Sequence, residues 1–214
     1  MSAMQAAMSR SSRPSAPALA RLLPLADRVE AVTRMSGRAF VARDARLAQS
    51  LLARGGEHER LDSALDEEWS ELLGRGAPND VPASVGLVTS LQTIAGLAAT
   101  ICTHVVGLSL REEAPTAHPA IQKLAELVPD LLRDALGAFR RNDRTTADRV
   151  LRGSVSVDVC FAQTYVDLLH GVRHNAGRVE NMETAQHLHA VTRALERIGD
   201  GASEIADSVR TLPV

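Results

Sequence analysis

Glu196 and Asp200 are the residues of this chain best placed to do chemistry. They stand four apart, so on a helix both carboxylates leave the same face. Like charges at that spacing cost roughly 0.2–0.5 kcal/mol, and the pair therefore invites a cation or nearby arginines. Carboxylate oxygens are hard donors that suit Mg, Mn and Fe. Two ligands from one helix are too few for such an ion, so others must come from neighbouring helices. The acids available are Asp158, in Arg152-Gly-Ser-Val-Ser-Val-Asp158, and Glu57 and Glu59, in Arg54-Gly-Gly-Glu57-His-Glu59. Arg193 and Arg197 each precede one of the paired acids by three residues and supply the plainer alternative, a laced and solvated surface.

Other candidates are weaker. His170 and His174, with Asp167 close by, share the four-residue spacing, as do Glu183 and His187. Helix surfaces produce such pairs often. Cys102 and Cys160 lack metal-type spacing and read as small buried hydrophobes in a reducing cytosol, not as a disulfide. There is no Gly-x-Ser-x-Gly elbow, no Walker-type phosphate loop and no His-Glu-x-x-His helix, so no enzyme is expected.

The elements that position the acids follow from periodicity. Leu188, Val191, Leu195, Ile198, Ala202, Ile205, Val209 and Leu212 step by threes and fours, the spacing of one apolar seam along a helix. The acids fall off that seam. The same seam occurs earlier as Leu87, Leu91, Ile94, Ala98, Ile101, Val105 and Leu108, at a constant offset of 104 from its later partner. A second echo joins Ala39-Phe40, Asp44 and Leu52 to Ala138-Phe139, Asp143 and Leu151 at an offset of 99. The chain thus contains two similar halves of about a hundred residues. At the offset of 104, Glu196 and Asp200 correspond to Gln92 and Gly96.

The rest of the chain fits an all-α fold. Aromatic residues are 2% of 214, and a core of Leu, Ala, Val and Ile suits close-packed helices. A net charge of −2 gives no basic patch for nucleic acid. We read residues 1–15 as a disordered lead-in, 16–110 as a first three-helix repeat, 111–119 as a linker and 120–214 as a second repeat. In the first half, helices are expected over Ala16–Ala53, closed by Gly55-Gly56, then Glu57–Leu73 and Val81–Leu110. In the second half they are expected over Ala120–Arg152, ended by Gly153, then Ser154–Val172, and a last one capped by Asn181. Pro24 and Pro129 are expected to bend their helices, and Gly96, Gly199 and Gly201 to let helices approach closely. Val81–Leu110 has no charged residue, but Ser84, Thr89, Gln92, Thr93 and His104 favour a packed helix over a membrane span.

Leu195-Glu-Arg-Ile-Gly-Asp200, followed by Ala202 and Glu204-Ile-Ala-Asp207, resembles the motif helix of the PhoU family of phosphate-uptake regulators. Glu204 stands where that family usually shows Asn. The resemblance implies two tandem three-helix bundles with a Glu/Asp-x-x-x-Asp motif once per repeat, able to bind metal clusters at the surface. A divalent or ferric cluster is then expected on the second repeat only, at Glu196, Asp200 and Asp158. It also implies a cytoplasmic, negatively acting accessory protein, often dimeric. Such a protein couples the ATP-binding subunit of an ABC phosphate transporter to a sensor histidine kinase, touching the membrane only through partners. Two other classes remain: a carboxylate-bridged metal bundle (oxidase or storage), and a divergent regulator of another transporter.

Overall fold

The computed structural model describes residues 16–75, 81–110, 119–174 and 179–211. The first half holds α1 (Ala16–Ala42), α2 (Ala45–Leu52), α3 (Glu57–Arg75) and α4 (Val81–Ser109). The second holds α5 (Pro119–Arg141), α6 (Arg144–His174) and α7 (Val179–Thr211). Among the described residues there is no strand. Since α2 and α3 together occupy the place that α6 holds in the second half, the architecture is six helices in two bundles, one helix being broken.

The two halves meet along their third helices, α4 against α7, and along α1 against α5. The seam residues Leu87, Leu91, Ile94, Ala98, Ile101 and Val105 are buried, as are Leu188, Val191, Leu195, Ile198, Ala202, Ile205 and Val209. Leu108 is partly buried, and Leu212 lies outside the described residues. Helix α4 has α1, α2, α3 and α7 around it, which accounts for its lack of charge. Its stretch Ser84–Ser109 is long and apolar enough to cross a membrane, but half of the most apolar window is buried inside the bundle. The hydroxyls of Thr89, Thr93, Thr100 and Thr103 on its outer side turn back onto carbonyls one turn earlier.

The echo at offset 99 marks a joint. Arg43 and Asn142 have φ of 53° and 54°, left-handed conformations that end α1 and α5. In both joints the next amide, Asp44 N or Asp143 N, reaches back to Ala39 O at 2.8 Å or Ala138 O at 2.9 Å. Each Asp then caps the following helix, Asp44 accepting from Leu47 N at 2.9 Å and Asp143 from Thr146 N at 3.1 Å. The first and fourth expected helices therefore end at Ala42 and Arg141, thirteen and twelve residues before the glycines expected to stop them. Gly153 sits inside α6, where a Cβ would come within 3.0 Å of Leu131 Cδ1 on α5. Asn181 lies inside α7, which starts at Val179. Neither Pro24 nor Pro129 interrupts its helix. The linker at 111–118 and the turn at 76–80 lie outside the described residues.

Gly55 (φ 69°) and Gly56 do break the second helix of the first half. At offset 99 they correspond to Ser154 and Val155, through which α6 runs straight.

Candidate functional site: the acidic face of α6 and α7

The seam of α7 turns Leu195, Ile198 and Ala202 inward, so Asp200 is exposed and Glu196 is half-buried at the surface. The glycines between them let other helices in. A Cβ on Gly199 would stand 3.1 Å from Val157 Cγ1 on α6, and one on Gly201 would stand 3.1 Å from Ile94 on α4. The close approach at Gly199 brings α6 against the acids. Gly96, expected to act likewise, has open space and no such role.

Asp158 on α6 joins Glu196 and Asp200 electrostatically. Partial burial pushes the Glu196 carboxyl above its ordinary value; Arg193 opposes the shift, and Asp200 and Asp158 add to it. Asp200 is raised too, first by burial and then by Asp158. Among the described residues, the direct partner of these acids is Arg193, whose Nη1 lies 3.2 Å from Glu196 Oε2. The same guanidinium lies over the Phe161 ring, 5.6 Å from its centroid, so it is shared between α7 and α6. Three carboxylates thus act on one another through space, with Arg193 and Arg197 opposing them. Among the described residues, however, no three His, Cys, Asp or Glu side chains are gathered closely enough to hold an ion. Mutual repulsion favours a cation there, but the donors are not arranged as a chelate.

Glu57 and Glu59 are elsewhere. Helix α3 does not touch α7; Glu57 accepts from Arg28 Nε at 2.9 Å, and Glu59 accepts the Gly55 amide N–H. The acids also face outward, whereas a carboxylate-bridged oxidase needs them inside its bundle. The side chains of His170 and His174 lie outside the described residues. Glu183 is exposed, and His187 turns instead to α4, its Nδ1 2.9 Å from His104 Nδ1. Sequence spacing gave no sign of that contact between halves. Gly107 makes room for it, since a Cβ there would lie 2.5 Å from His187 Cε1. Burial and His187 both lower the His104 pKa, and one ring must donate its Nδ1–H to the other's lone pair.

Cys102 is a buried free thiol, 3.1 Å from Ser36 Oγ and 3.9 Å from His58 Nε2. Burial pushes its pKa up, which keeps it protonated and inert. A cleft of about 270 Å³ between α1 and α5 is lined by Asp27, Glu30, Arg133 and Arg140 among others. Its charges are mixed, and the acids of α6 and α7 do not line it.

A sequence profile described as the PhoU domain matches residues 121–209, from α5 to near the end of α7. Residues 121–209 carry a PhoU domain. Relatives of this PhoU-domain chain include the phosphate-specific transport system accessory protein PhoU homolog of Caulobacter vibrioides, 26% identical over 193 residues and 83% of each chain. The homolog of the same description from Pseudomonas putida is 25% identical, across 88% of this chain and 74% of its own. Among solved structures, PhoU from Pseudomonas aeruginosa superposes with a TM-score of 0.77 at 23% identity, covering 90% of this chain and 93% of its own. The phosphate transport system regulatory protein PhoU from Streptococcus pneumoniae gives 0.72 at 17%, covering 90% and 91%. At those identities the structures establish the PhoU fold.

Proposed function

We propose that this PhoU-domain chain is a non-enzymatic, cytoplasmic accessory protein that holds phosphate uptake in check. It does so by binding, coupling the ATP-binding subunit of an ABC phosphate transporter to a sensor histidine kinase. The observation that carries this is the similarity to relatives described as phosphate transport accessory proteins, over 83% of both chains. The outer faces of α6 and α7 support it, since Asp158, Asp200, Val155 and Val159 are exposed and available to a partner. The homodimer and the peripheral membrane association belong to the same proposal. So does a divalent or ferric cation at Glu196, Asp200 and Asp158, which would be drawn by the local negative field and would tune that face.

The test is affinity capture of the tagged full chain from phosphate-replete cells with mass spectrometry. Recovery of the transporter's ATPase subunit or its paired kinase is expected. An unrelated transporter in their place would overturn the phosphate assignment.

A further inference from the structure

Helix α6 carries two apolar faces, and the fold uses one. Val157 and Thr164 are buried and Cys160 partly so, on the side that meets the bundle. On the opposite side Val155, Val159, Ala162 and Val166 form a second line with steps of four, three and four. Val155 is 58% exposed, Val159 63% and Val166 45%. Single exposed apolar residues are ordinary, but a contiguous line at seam spacing is a surface that another element can cover.

The sister repeat is an internal control. At offset 99 these four positions are Gly56, Arg60, Ser63 and Glu67 of the first half. Arg60, Ser63 and Glu67 are exposed, so that ridge is an ordinary solvated face. The helix position itself therefore does not demand valine.

Charge chooses the occupant. The edge of the ridge toward α7 carries Asp158, with Glu196 and Asp200 beyond it; Arg193 and Arg197 oppose these acids, and three acids against two arginines leave the edge negative. Between Gly153 and Val172, α6 has Asp158 and Asp167 and no lysine or arginine. A second α6 laid on the ridge would bring its own Asp158 and Asp167, with Arg152 only at the end of the line, and an anionic lipid surface would meet the same negative excess.

We propose that the outer ridge of α6 is a docking surface for a partner helix whose apolar seam is flanked by lysine or arginine. The partner's apolar side chains lie along Val155, Val159, Ala162 and Val166, and its cations meet Asp158, Glu196 and Asp200. This rests on the binding role proposed above only in supposing a protein partner.

The probe needs no phosphate-pathway protein, so its result is separable from the capture experiment. Two synthetic helical peptides of about three heptads share one leucine seam, one flanked by lysine and the other by glutamate. Each is titrated by fluorescence anisotropy against the full chain in EDTA. The lysine peptide is expected to bind at least about tenfold more tightly than the glutamate peptide. V159S with V166S should weaken it by about tenfold or more, while S63A, on the first-half ridge, should leave it unchanged. Circular dichroism checks that each variant is folded. D158N with E196Q should erase the discrimination between the peptides. Equal binding of both peptides, or no effect of V159S with V166S, overturns the proposal. So does a dimer in sedimentation, or adhesion to phosphatidylcholine vesicles, that this double variant abolishes, because a second copy or lipid would then be the occupant.

Discussion

The two repeats share their inner faces and differ on their outer ones. The outer side of α7 reads Arg193, Arg197, Asp200, Glu204 and Asp207; at offset 104 the outer side of α4 reads Thr89, Thr93, Gly96, Thr100 and Thr103. Charges on one helix are matched by small neutral residues on the other. Their neighbours reverse the contrast, since α3 presents Arg60, Ser63 and Glu67 where α6 presents Val159, Ala162 and Val166. The acids fare differently as well. In the first half Gln92 stands where Glu196 stands in the second, and its amide donates to Asp66 at 2.8 Å. Glu59, the counterpart of Asp158, accepts from Gly55 at the helix break. At these positions the first half pairs its polar groups internally, while the second leaves acids crowded and valines exposed. A duplicated bundle needs the same packing twice, but its function needs only one specialised face.

The largest expected effect would erase the similarity. Ile94 and Ile198 are fully buried counterparts at offset 104. I94A and I198A should each cost about 2–5 kcal/mol in urea unfolding, by lost burial and an unfilled cavity. A loss confined to one of the two would show that the halves are not energetically equivalent.

Next come the caps. D44A should cost about 0.5–2 kcal/mol, read as a lower thermal midpoint, and D143A should lower the midpoint in the same direction. Asp143 also carries a pH dependence. Hydrogen bonds from Thr146 hold its carboxyl below the ordinary carboxylate value. A depressed folded pKa means stability that is present above the unfolded value and is lost as pH falls through the folded one. Wild type and D143A should therefore converge on acidification below the carboxylate range, and an unchanged gap would remove the charge from the account.

The smallest effect separates the faces. E196Q with D200N should keep the fold and raise the midpoint slightly at pH 7, by a few tenths of a kcal/mol at most (roughly 0.2–0.5). The sign is opposite to that of Asp143. Both acids are raised, so the strain of ionising them is absent below the unfolded pKa and appears as pH rises through the folded one. The gain should vanish in acid, and Mn²⁺ should stabilise wild type but not the double variant. Loss of helicity in the variant would mean that the acids do not lie off the seam.

Much of the fold was legible because buried faces constrain sequence. The seams of α4 and α7 need apolar residues at threes and fours wherever a helix lies in a bundle, and both copies kept them. Helix ends were less legible. A glycine announces a left-handed residue, but Arg43 and Asn142 take that conformation without it, and Gly153 serves packing against Leu131 instead. The capping aspartates were visible as an echo before their role was.

Sequence alone determined the helical class, the duplication, the two seams and the outward face of Glu196 and Asp200. Those follow from local periodicity, which the chain carries in every window of a few turns. The resemblance had already grouped Asp158 with those acids; only the tertiary structure decided that Glu57 and Glu59 stay apart from them, that His104 meets His187, and that the α6 valines stay uncovered. Each depends on which helices touch, and contact between residues far apart in the chain is set by packing, not by spacing.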